Sequence, residues 1–133
     1  MEQEDKELLI KEISARLPYG VKLWTRFKDK KDPLDIFSIN TRGWVSFWET
    51  NSQLDYLFVT DCRLYLRPLS SMTEEEKAEY EELEKQCESL PTFAYISVSK
   101  CILFDWLNAH HFDYRNLIEK RLALVAPDGM YNN

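Results

Sequence analysis

Between positions 21 and 59 the chain alternates apolar and polar residues in short runs, separated by connections of only a few residues. Val21, Leu23, Thr25 and Phe27 fall on one side of an extended chain, and Lys22, Trp24 and Arg26 on the other. The runs 34–40 and 44–48 make two further strands, joined by Thr41-Arg42-Gly43, and 54–59 offers a fourth. Residues 28–33 read as a charged turn. No connection here is long enough for a crossover helix, so neighbouring strands pair antiparallel. Helical patterns flank the block on both sides. The fold class that follows is α+β: a three- or four-stranded antiparallel sheet with an N-terminal helix and two to three C-terminal helices.

The first helix is predicted over 4–17. Leu9, Ile10, Ile13 and Leu17 share a face, acids stand in its first turn, Arg16 suits its negative end, and Pro18 and Gly20 stop it. Residues 63–69 read as extended or irregular. An acidic helix over 73–87 opens on Thr73-x-x-Glu76, whose hydroxyl and carboxylate satisfy each other's orphan amides. Its stripe of Tyr80, Leu83 and Cys87 is narrow, so it should lie on the surface. After a linker with Pro91, a helix over 98–111 carries apolar residues on nearly every side, which predicts the most buried helix of the fold. Asp113 can cap a short helix over 114–120. Residues 122–126 fit either its extension or an edge strand, and 127–133 read as a frayed tail. The expected core comprises Leu9, Ile13, Leu23, Ile36, Phe47, Ile102, Leu103, Trp106 and Leu117. The sheet should carry the first and third helices on one face, all within a single domain of 133 residues.

Charge is unevenly spread. Eight glutamates against two lysines between Thr73 and Glu88 account for the whole net charge of -6. That balance disfavours long-range attraction to nucleic acid. The three cysteines, Cys62, Cys87 and Cys101, show no CxxC spacing and read as reduced thiols of a cytosolic protein. The acidic first residues lack the apolar core of a signal peptide. No stretch approaches the roughly 18 apolar residues of a membrane span.

Candidate chemistry concentrates in the segment holding both histidines: Asp105, His110, His111, Asp113 and Arg115. Adjacent histidines on a helix diverge by about 100°, so they are poorly placed to chelate one metal. The structural alternative stacks His110 on Trp106 and lets His111 finish the helix. There, the negative helix end would favour a charged imidazole. Cys101 lies about 13 Å up the same helix from His110, too far for direct contact. A second candidate is the basic strand of Lys22, Trp24, Arg26 and Lys28, where an indole between cations suits stacking of single-stranded bases. Asp29, Asp32 and Asp35 dilute its charge. No phosphate loop, dinucleotide fingerprint, nucleophile elbow or HExxH is present.

Three segments, 8–22 (LLIKEISARLPYGVK), 65–76 (YLRPLSSMTEEE) and 105–118 (DWLNAHHFDYRNLI), together resemble an uncharacterised family of small proteins encoded by phages, prophages and mobile elements of gut bacteria. The resemblance skips 23–61. It implies a bacterial cytoplasm and carries no catalytic residues to transfer. Glycine often stands in that pattern where Arg121 stands here.

The reading that results is a non-enzymatic accessory protein that binds another macromolecule, a protein, with no catalytic residues, cofactor or metal and no membrane contact. Two alternatives stand beside it: a single-stranded nucleic-acid binder built on Trp24, and a metal-dependent hydrolase centred on His110, His111 and Asp113.

Overall fold

The computed structural model describes residues 1–27, 33–50 and 53–131. It is α+β with a mixed sheet. In chain order come α1 (Gln3–Arg16), β1 (Lys22–Thr25), β2 (Leu34–Ile39), β3 (Trp44–Thr50), β4 (Gln53–Phe58), β5 (Cys62–Pro68), α2 (Glu74–Glu88), α3 (Thr92–Ala109), β6 (Phe112–Asp113) and β7 (Ala123–Val125). The strands run β4-β3-β2-β1-β5-β6, with β7 also on β5. As the short connections require, β1–β4 pair antiparallel.

The sheet has seven strands among the described residues, not three or four. The difference is β5, read from sequence as extended or irregular, together with the short β6 and β7 that pair on it. β5 is the hub: Leu64 pairs with Leu23 of β1 and with Ala123 of β7, and Arg67 pairs with Phe112 of β6. Its Cys62, Leu64, Tyr65 and Leu66 are all buried, so the run lacks the alternation that reveals a half-buried strand. β6 and β7 run parallel to β5 because the chain returns through α2 and α3 before pairing again.

The main core lies between α1 and the inner sheet face. Leu9 and Ile13 pack against Leu23, Val45, Phe47, Leu64, Leu66, Leu117 and Leu122. A second cluster, Trp106, Leu107 and Phe112 with Met72, Tyr80, Leu83 and Tyr114, joins α2 to α3. This corrects the expected position of the third helix. It begins at Thr92, directly after Pro91, since a proline immediately before the first helical turn has no amide bond to lose. It packs mainly on α2, with a smaller contact to α1, rather than lying beside α1 over the sheet. Of its expected core residues Trp106 is buried, Leu103 is half-buried and Ile102 is exposed, as are Val98 and Phe104. Ile36, also expected in the core, packs at its margin.

The short helix over 114–120 does not form. Residues 117–121 make turns, and Asp113 bonds the backbone amides of Leu117 and Ile118 without a helix behind them. Arg121 sits at φ 63, where glycine is the usual occupant, and this reversal feeds β7, the strand alternative for 122–126. The capping box of α2 is present, Glu76 N reaching Thr73 Oγ1 at 3.1 Å and Thr73 N reaching Glu76 Oε1 at 3.0 Å.

Candidate functional site: the histidine segment and the open sheet face

α3 ends at Ala109, and His111 takes a left-handed conformation, φ 61. That reversal sends the two imidazoles apart. His110 stacks on Trp106, ring centroids 4.1 Å apart, as the four-residue spacing suggests. Trp106 Nε1 donates to Glu79 Oε1 at 3.1 Å. The Arg67 guanidinium lies 4.2 Å over the Phe112 ring and grips Glu76 with two hydrogen bonds of 2.8 and 2.7 Å. His111 instead stacks on Tyr131 at 3.6 Å. The Asp113 carboxylate is engaged by the amides of Leu117 at 2.8 Å and Ile118 at 3.0 Å. Arg115 Nε lies 2.6 Å from Glu12 Oε1, and Asp105 is exposed on α3.

The five candidates therefore do not converge; four of the five are held by internal partners. Among the described residues, no group of three or more His, Cys, Asp or Glu side chains is placed to hold a metal ion. The helix end does not favour imidazolium either. Burial, followed by the nearby cations Arg16, His110, Arg67 and Lys22, pulls His111 down to about 4. Burial likewise lowers His110, against the opposing pull of Glu76 and Glu79.

The most buried ionic group is one the sequence reading assigned elsewhere. Arg16, expected to complement the helix end, is the largest fully buried side chain. It is ion-paired with Glu12 and donates to Phe112 O at 2.8 Å. Glu12 thus holds two guanidiniums, the buried one of Arg16 and the half-buried one of Arg115. A signal existed: Glu12 and Arg16 share the apolar stripe with Leu9 and Ile13 at spacings of three, four and seven. No local signal marked the Arg67–Glu76 pair or the seat of Tyr131.

The cysteines separate by exposure. Cys62 and Cys87 are buried and Cys101 is exposed. Burial, aided by Asp61, pushes the Cys62 thiol up to about 12, so it is a poor nucleophile at neutral pH. A thiol-exchange reagent should modify Cys101 rapidly in folded protein, and Cys62 and Cys87 only on unfolding. Stoichiometry with and without denaturant, read by intact mass, checks this; prompt native modification of Cys62 contradicts it.

The basic strand is partly neutralised. Lys22 Nζ pairs with Asp35 at 2.6 Å and Arg26 Nε with Asp61 at 3.0 Å. Trp24 is half-buried opposite Arg63, whose guanidinium donates to the carbonyls of Thr60, Cys62 and Arg121. Lys28 lies outside the described residues, as do 29–32 of the charged turn expected over 28–33.

A broader feature adjoins it. Residues opposite one another across an antiparallel pair share a face. Ser38, Ser46 and Tyr56 therefore form an outer row, with Trp44 and Phe58 in the next. A β-bulge at Phe37 adds that ring to the exposed side. Phe37, Trp44 and Tyr56 are 56%, 46% and 57% exposed. Trp44 is fixed from both sides. Its amide donates to Asn40 Oδ1 at 3.1 Å, and the preceding Gly43, φ 92, sits where a Cβ would come within 2.9 Å of Val59. Its ring meets Phe58 edge-on at 5.0 Å. On α2, seven of the eight glutamates are exposed and only Glu76 is buried.

A cleft of about 490 Å³ lies beyond β5, lined by Arg67, Pro68, Thr73, Val125, Gly129 and Tyr131 among others. Among the described residues, no helix is long and apolar enough to cross a membrane. No family model, no curated protein and no solved structure matches the chain.

Proposed function

We propose that this protein is a non-enzymatic binding module of phage or mobile-element origin, acting in a bacterial cytoplasm on a protein partner through the outer face of β2–β4. The observation that carries the reading is the exposure of Phe37, Trp44 and Tyr56 together on one rigid sheet face. Tyrosine and tryptophan dominate binding energy at protein interfaces, and exposed apolar patches mark such sites. Two further features support it. Four of the five candidates in the histidine segment are held by contacts within the fold. The exposed glutamates of α2 repel polyanions and suit a partner with basic character.

A photoreactive benzoylphenylalanine at position 56, compared with one at the exposed position 120, tests the reading in host lysate. Protein adducts specific to position 56 are expected; equal adducts from both positions, or none, contradict it.

Trp24 facing Arg63 on the same side of the sheet favours a second reading, a single-stranded nucleic-acid platform. Titration with oligothymidine across salt concentrations separates the two. A saturable, salt-sensitive fluorescence change that Trp24→Phe abolishes would transfer the face to nucleic acid. A flat response keeps the protein partner.

A further inference from the structure

The segment 127–131 read from sequence as a frayed tail, yet it is docked. The amide of Ala126 donates to Leu66 O at 2.8 Å, continuing the β7 pairing. Met130 N then returns to Pro127 O within the segment's own turn. Among the described residues, the hydrogen bonds that tie 127–131 to the body run through Tyr131. Its hydroxyl accepts from Lys22 N at 2.9 Å and donates to Tyr65 O at 2.7 Å, bridging β1 and β5. Its ring lies flat on His111. The segment so held forms one wall of the cleft beside Arg67.

The seat is unusual in its charge. His111 is 5% exposed, and its Nδ1 has no hydrogen-bond partner. The charged groups that bear on it are cations, Arg16 from α1, Lys22 from β1 and Arg67 from β5, and the imidazole of His110 at the end of α3 adds to them when protonated. Nearby carboxylates are already engaged, Glu12 by Arg16 and Arg115, Glu76 by Arg67, Asp35 by Lys22, and Asp113 by two backbone amides. A proton on His111 would add a buried charge among like charges, with an N–H and no acceptor. The least costly relief is to wet the ring. Tyr131 is its cover, and it is fastened by few bonds.

We infer that 127–131 is a latch: seated on neutral His111 it completes the wall of the cleft beside Arg67, and protonation of His111 releases it. The tyrosine hydroxyl does not set the switch, because burial raises its own titration and it stays a donor throughout.

Amide hydrogen exchange on the full chain, corrected for intrinsic rates, tests this. Between pH 7 and 4.5 opening read at the Lys22 amide, which donates to the Tyr131 hydroxyl, and at Met130 should increase at least about tenfold while α1 stays protected. In NMR titrations, the His111 ring and the Tyr131 ring should shift with one midpoint. Retained protection at pH 4.5, loss together with α1 in one transition, or separate midpoints for the two rings would each overturn the latch. His111→Asn, which tolerates the left-handed backbone, should seat the segment more weakly but without dependence on pH over this range; persistent dependence also overturns it.

Discussion

Replacing Glu12 with alanine lowers the unfolding free energy by about 3–5 kcal/mol, the range for removing one partner of a buried ion pair. The carboxylate is 1% exposed and faces Arg16, which is fully buried, and Arg115. Without it the buried Arg16 guanidinium confronts the half-buried one of Arg115 with no carboxylate between them. Only the Phe112 carbonyl and the Tyr114 ring, 5.1 Å from the Arg16 guanidinium, remain for the buried one. The cluster also locks α1 to β6 and to the loop bearing Arg115, so the loss reaches both cores. Urea denaturation should show a lower midpoint at unchanged slope. The double substitution Glu12→Leu/Arg16→Met should cost less than Glu12→Ala alone, since it leaves no orphaned charge on α1. A loss below about 1 kcal/mol for Glu12→Ala would mean the cluster is wetter than its burial indicates.

The second large effect lies at acid pH. The Arg67 guanidinium, together with the Thr73 amide and hydroxyl and against the opposing cost of burial, holds the Glu76 carboxyl down at about 2, from 4.5. A group depressed on folding stabilises the native state above its unfolded value, and that contribution disappears as pH falls through the folded one. The pair's stabilisation is therefore complete above pH 4.5 and fades between about 4.5 and 2. It amounts to about 2 kcal/mol once residual solvent screening is allowed for. Arg67→Met should be less stable than wild type by that amount at pH 7, and the two stability curves should converge near pH 2. Curves that stay parallel over this interval would show that Arg67 acts through its packing on Phe112 instead.

Alternation and short connections made β1–β4 legible, and the Thr73-x-x-Glu76 spacing marked the start of α2. The stack of His110 on Trp106 followed from a four-residue spacing. What the sequence concealed was tertiary. β5 is covered on both faces and lost its periodicity. α3 is apolar on nearly every side, a pattern that marks a buried helix, yet α1 already covers the sheet and α3 packs mainly on α2, with smaller contacts to β6 and α1. Asn116, left-handed at φ 60 inside the expected short helix, breaks it at its first turn, and Arg121, at φ 63, makes the reversal into β7. The candidate site was legible in composition and illegible in geometry. Adjacent histidines announce chemistry, but one left-handed residue, His111, turns them toward separate aromatic partners. The exposed face follows from alternation at Trp44 and Tyr56, but the bulge beside Phe37 shifts the register of β2 in a way that no periodicity encodes.

Two variants measured side by side address the main claim, that the histidine segment builds the fold while the sheet face makes the contact. Trp44→Ala/Tyr56→Ala should abolish the partner cross-link from a probe at position 37 and leave the melting temperature within a few degrees. His110→Ala should keep the cross-link and lose about 1 kcal/mol of stability from the broken stack. Loss of the cross-link in His110→Ala, with full capture by the sheet-face variant, would contradict the account.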